Sequence, residues 1–158
     1  MNIQPSPRER PAGRIAGIDF GTVRVGVAIT DPRRTLASPL ESYTRRDRQQ
    51  DAAYFRRLAA EQELTLFVVG LPVHLDGRES RKSTEAREFG QWLGEVTGLP
   101  VLYFDERFST VEAEQFLAQG QLTSKRRKQR VDMLAAQVML AAYLESGSQG
   151  QSAPGSLD

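Results

Sequence analysis

Alternation of apolar and polar positions is the first regularity along the chain. Arg14-Ile-Ala-Gly-Ile-Asp-Phe20 reads as a strand closed by a tight turn at Gly21-Thr22. Val23, Val25, Val27 and Ile29 then recur at every second position, the period of a second strand with one apolar face. Asp31-Pro32 ends that run, and residues 35–41 predict a short third strand. The period then changes. Over 47–63, Tyr54, Phe55 and Leu58 fall at the spacing of a helix with one buried face. Thr65-Leu-Phe-Val-Val69 is a short continuous apolar run, as expected of a strand covered on both faces. After a loop from Gly70 to about Gly77, residues 80–97 predict a helix with Phe89, Trp92, Leu93 and Val96 on its core face, and 100–104 predict another buried strand. Ser109, with Glu112 three residues on, has the spacing of a capping box opening a helix that ends near Gly120. A final helix is expected over 131–145.

Three early strands without helices between them, followed by helices alternating with strands, predict an α/β fold: a mixed five-stranded sheet with helices on both faces. A plain dinucleotide-binding unit would instead place a helix directly after the first strand. The 158 residues allow one ordinary domain, expected over 14–146. Residues 1–13, with Pro5, Pro7 and Pro11, and 147–158, rich in Gly, Ser and Gln, have little to bury and are expected to be flexible tails.

Composition narrows the chemistry. The absence of cysteine excludes disulfides, thiolate metal sites and cysteine nucleophiles, and a single histidine, His74, argues against a multi-histidine zinc site. A catalytic metal here should be a hard ion on carboxylate oxygens, Mg²⁺ or Mn²⁺. The N-terminus lacks the apolar stretch of a signal peptide. No apolar run approaches the roughly 20 residues that cross a bilayer. The chain is therefore expected to be cytoplasmic, with no membrane partner. The net charge of +1 hides an uneven distribution: Arg45, Arg46 and Arg48 form one basic group, and Lys125, Arg126, Arg127, Lys128 and Arg130 a denser one. Local patches, rather than the total, attract polyanions.

Three acids stand where chemistry gathers. Asp19 ends the first predicted strand on the same face as Ile15 and Gly17, where a carboxylate is costly unless a cation compensates its desolvation. It could equally be a turn residue bonding the backbone of Gly21-Thr22. Asp105-Glu106-Arg107 follows a predicted strand directly, and adjacent acids there point to opposite faces, so at most one looks squarely into a given site. The alternative is a surface group joined by salt bridges. Asp132 opens the expected last helix in line with Ala135, Ala136, Met139 and Tyr143, a stripe that should face the sheet. An acid complementing the helix dipole is the other reading. Acids on three separated elements, if they converge, suit phosphodiester hydrolysis, in which divalent ions activate water and stabilise the leaving oxygen.

GIDFGTVRVGVAITD (17–31), GLPVHLDG (70–77), FDERFST (104–110) and RVDMLAA (130–136) resemble, in order and over nearly the whole predicted domain, the four signature blocks of the YqgF/RuvX family. That family has an RNase H-like fold and is related to the RuvC Holliday-junction resolvases. The resemblance implies that Asp19, Glu106 and Asp132 are the catalytic, metal-binding acids. It also implies a nuclease acting on an rRNA precursor (pre-16S rRNA) or on branched DNA, junction resolution having been proposed for some bacterial members. Resolution needs two coordinated cuts and hence a homodimer, for which Phe108 and the helix after Ser109 could supply an interface.

Arg107 and the segment Lys125–Arg130 are expected to hold the substrate backbone, since Lys and Arg supply most non-specific nucleic-acid affinity. The 125–130 segment reads as a loop leading into Asp132, mobile through like-charge repulsion. The 70–77 loop, with Arg78, Arg81 and Lys82 after it, could form an opposite wall. His74 within it is more simply incidental than a proton shuttle. Two rivals start from other classes. Asp19-Phe-Gly21-Thr22 also resembles the phosphate hairpin of actin-like ATPases and sugar kinases, but those need a second lobe for which this chain has no room. A nucleic-acid-binding ribosome-maturation module without catalysis would leave the acid triad unexplained. Gly21-x4-Gly26 has P-loop spacing but lacks the Lys-Ser/Thr that must follow.

Overall fold

In the computed structural model the described residues are 13–72, 78–106 and 124–147. Most of both predicted tails, the predicted 109–120 helix, Arg107, Phe108 and His74 lie outside them. Five strands, β1 (Arg14–Asp19), β2 (Arg24–Thr30), β3 (Ala37–Thr44), β4 (Leu64–Leu71) and β5 (Val101–Asp105), form one mixed sheet in the order β3-β2-β1-β4-β5. β1 pairs antiparallel with β2, and β2 with β3, while β1–β4 and β4–β5 are parallel. The parallel strands β1, β4 and β5 therefore end at one edge of the sheet, where α/β proteins place their ligands.

Helices α1 (Arg48–Glu61) and α2 (Arg81–Thr97) cover one face, and α3 (Ser124–Gly147) the other, as the order of elements predicts. Strand alternation sorts the side chains. Ile18, Val25, Val27, Phe67 and Val69 pack against Phe55 and Leu58 of α1 and Phe89 and Leu93 of α2. Ile15, Ala28, Leu66, Val68 and Phe104 meet Ala136, Met139 and Leu140 of α3. Each leading helix starts on its own signal: Asp47 Oδ1 accepts from Gln50 N at 2.7 Å, and Ser80 and Ser83 cap each other reciprocally. Gly98, at φ 73°, ends α2 in the left-handed conformation glycine allows.

Three expectations are corrected. Val23 does not share the apolar face of β2: it stands in the turn before the strand, 60% exposed. β3 runs to Thr44 rather than to 41, because pairing of Tyr43 with Val25 and of Thr44 with Arg24 extends it, and the Tyr43 ring stacks on Tyr54 at 3.8 Å. The last helix begins at Ser124, so the basic segment is its opening turns and not a loop. Lys, Arg and Gln are good helix formers, and like-charge pairs on a helix cost only about 0.2–0.5 kcal/mol each, too little to unwind a segment continuous with a packed apolar stripe.

Candidate active site at the carboxyl edge of the parallel strands

Asp19, the last residue of β1, lies in a row across the sheet: it pairs with Gly26 of β2, which pairs in turn with Ser42 of β3. Cross-strand partners share a face, and parity places this row on the α3 side with Ile15 and Ala28. The missing side chain at Gly26 is what lets the helix in. A Cβ there would run into the backbone carbonyl of Asp132, so the third turn of α3 rests directly on the strand.

Glu106 reaches the same face by alternation. Phe104, two residues before it, is buried against α3, whereas Asp105 pairs with Leu71, which belongs to the opposite core. A Cβ on Gly70 would collide with the Glu106 carboxylate, so glycine at the end of β4 opens the space that carboxylate fills. The sequence left Asp105 and Glu106 as alternatives; the register assigns Glu106 to the face of Asp19.

The two carboxyl groups meet in a shared hydrogen bond that favours the proton on Asp19. Burial, then the nearby charge of Glu106 and that shared bond, and after them the charge of Asp132, push the Asp19 pKa well above the ordinary carboxylate range. Glu106 is also raised, chiefly by burial and further by the charge of Asp105, against the lowering effect of its bond from Asp19.

Asp132 is held differently. Its Oδ2 accepts from Arg24 Nε at 2.9 Å and from Ser42 Oγ at 3.2 Å. Its charge still reaches Asp19, but its carboxylate is turned to Arg24, and among the described residues no three acids close into a ready metal cage. Asp132 is the ninth residue of α3, counted from Ser124, too deep in the helix to serve as an N-terminal dipole partner. Of its predicted stripe, Ala136 and Met139 are fully buried and Tyr143 packs against Phe104. Arg126, Arg127, Lys128 and Arg130 are exposed on the turns before Asp132, and Lys128 stands one turn from it at i, i+4. Lys125 belongs to the first turn, its side chain outside the described residues, as is Arg107.

Arg24 and Ser42 were not singled out from the sequence. Arg24 had a signal, since it lies two residues before Gly26 and so on the same strand face. Ser42 had none, because its place depends on a register that shifts by a residue between Val27 and Ala28.

Comparison with known proteins follows the same lines. The family model RuvX, described as Holliday junction resolvase, matches residues 13–146. A protein of Rhodopirellula baltica named "Putative pre-16S rRNA nuclease" is 54% identical over 134 residues, 85% of this chain and 78% of that one. One of the same name from Koribacter versatilis is 41% identical, covering 84% of this chain and 87% of its own. Among solved structures, Thermus thermophilus RuvC in complex with a Holliday junction substrate superposes with a TM-score of 0.56 at 14% identity, over 90% of this chain and 99% of that one, a likeness of fold.

Proposed function

Because this chain belongs to the RuvX family, a family of nucleases with an RNase H-like fold, we propose that it is a divalent-metal-dependent phosphodiesterase whose reacting centre is Asp19, Glu106 and Asp132. The observation that carries this reading is the Asp19–Glu106 pair: two carboxyls buried against each other at the carboxyl edge of the parallel strands, with a third acid brought beside them by the glycine at position 26. Such a pair suits a hard cation, since all its donors are carboxylate oxygens and each group resists ionising without a compensating charge. Asp19, Glu106 and Asp132 would hold Mg²⁺ or Mn²⁺, which supplies Lewis-acid polarisation of the phosphate and offsets the charge of the acids.

The residues of the chain do the rest. On metal binding Asp19 would release its proton to solvent, and Asp132 would join the pair through Oδ1, which takes no hydrogen bond among the described residues, while Oδ2 stays on Arg24 Nε. Arg126, Arg127, Lys128 and Arg130, with Lys125 and Arg107, hold the sugar-phosphate backbone next to the acids, a role that positions the substrate without reading its bases.

The substrate favoured here is the precursor of 16S rRNA, cut in the cytoplasm during ribosome biogenesis, as the names of the relatives suggest. Holliday junctions are the second reading, favoured by the description of the matching family, and would need a homodimer to place two cuts. Mn²⁺-dependent cleavage of a 16S rRNA precursor and of a four-way DNA junction, compared side by side, separates the two. Asp19→Asn is the control: it should bind either substrate and cut neither, and full activity in that variant removes Asp19 from the centre.

A further inference from the structure

We infer that Arg24 is a substrate-binding residue of this site, gripping a phosphate of the nucleic acid with its terminal amino groups while its Nε fixes Asp132. The inference deepens the nuclease reading and rests on it for the identity of the polyanion. Arg24 opens β2 immediately after a turn so tight that a Cβ on Gly21 would strike the Arg24 carbonyl. Its side chain lies on the α3 face, two residues before Gly26 on the same strand, and reaches Asp132 of α3. A guanidinium carries five donors in a planar fork. Only Nε is used, on Asp132 Oδ2 at 2.9 Å; among the described residues neither Nη1 nor Nη2 donates to anything. The side chain is part-buried, 29% exposed, so the remaining donors are held in place by Nε and open to a ligand at once.

A purely structural counter-ion would not need this layout. Asp132 already accepts from Ser42 Oγ at 3.2 Å, and Oδ1 of Asp132 takes no hydrogen bond among the described residues. The fork is thus anchored on Asp132, the acid of the group that follows the basic opening of α3, one turn after Lys128. A phosphate passing from the basic turns to the carboxylates meets Arg24 on the way, and two parallel N–H donors match its oxygens.

The test measures binding without cleavage. A fluorescein-labelled RNA hairpin with a single-stranded 5′ extension is titrated with the full-length protein in EDTA, over a series of salt concentrations. Arg24→Gln, which can still donate to Asp132, should weaken binding about tenfold and reduce the slope of log K against log salt by about 0.7–0.9, the signature of one lost phosphate contact. Arg24→Lys should keep the slope and lose about fivefold in affinity, because one ammonium replaces a planar fork. Ser42→Ala should change neither, since it loosens Asp132 without touching a phosphate. Wild-type affinity and slope in Arg24→Gln overturn the inference; if that variant does not fold, wild-type affinity in Arg24→Lys does so. Cleavage is scored separately: a protein whose binding depends on Arg24 but which cuts nothing with Mn²⁺ loses the nuclease reading and keeps this one.

Discussion

The two faces of the sheet are built on different principles. Towards α1 and α2 the chain places large rings: Phe55 lies edge-on to Phe89 at 5.6 Å and to Trp92 at 6.2 Å, Tyr43 stacks on Tyr54, and Phe67 is fully buried among them. Towards α3 it also packs apolar residues, Ile15, Leu66, Val68 and Phe104 among them, but leaves glycines around the acids. Gly17, Gly26 and Gly70 face the helix or the acids beside it, and a Cβ on Gly17 would come within 2.8 Å of the Leu140 Cβ. The first face gains stability from buried apolar area. The second gives up bulk so that a helix can carry an acid down onto the sheet, and it accepts mutually repelling carboxyls where desolvation opposes their charge. Both faces thus bury apolar side chains, but only the α3 face gives up bulk to make room for the acids.

That contrast is open to attack by substitution. The largest effect is expected from Asp19→Asn, which should bring metal-dependent cleavage below detection and yet raise the Tm measured in EDTA. The amide keeps a donor for Glu106 and removes a group whose ionised form the fold resists. In a domain of this size about 1 kcal/mol of added stability corresponds to on the order of 4 °C. A fall in Tm would mean that the acid face is stabilising after all, and the contrast between faces would fail.

Next comes Phe55→Ala on the aromatic face. Truncating a fully buried phenylalanine should cost about 3–5 kcal/mol, seen as an early urea midpoint, while cleavage per folded molecule in native buffer stays near wild type. Gly26→Ala should show the reverse proportion. Overpacking of this kind costs about 1–3 kcal/mol, but here the displaced atom is the Asp132 carbonyl, so activity should fall by more than the folded fraction does. A loss of activity in Gly26→Ala no greater than its loss of folded protein would show that the close approach serves packing alone.

Much of this contrast was legible in the sequence, and the parts that were not have a common cause. The period of two in 15–19 and 25–29 placed Asp19, and the apolar stripe through Ala136 and Met139 placed Asp132, because both signals are local. The choice between Asp105 and Glu106 needed the pairing of Leu71 with Asp105, and the role of Ser42 needed a register interrupted by a bulge. The start of α3 was missed for another reason. Six residues of almost uniform charge carry no periodicity, so backbone propensity and continuity with the packed part of the helix decide their conformation without leaving a pattern to read.

The smallest effect expected is a pH dependence, and its sign separates the buried acid of the site from an ordinary turn carboxylate. Asp19 has a raised pKa in the folded protein, so between the ordinary carboxylate range and that raised value the native state holds a proton which the unfolded chain has released. Its contribution to stability is complete below about pH 4, the unfolded value, and is lost as pH rises through the folded value. Metal-free protein should therefore lose Tm by a few degrees across that window, against the usual behaviour of paired carboxylates, which lose stability on acidification. Asp31 belongs to that usual class, its pKa lowered to about 2 chiefly by hydrogen bonds from the Leu36 backbone and the Thr35 hydroxyl, so its contribution is present above about pH 4 and fades only as pH falls towards 2. Asp19→Asn should flatten the descending limb between pH 4 and neutrality, whereas Asp31→Asn should alter only the acid side. A descending limb that survives in Asp19→Asn would transfer the effect to Glu106, whose raised pKa acts in the same direction, and the double variant Asp19→Asn/Glu106→Gln would then have to abolish it for the acid face to remain its source.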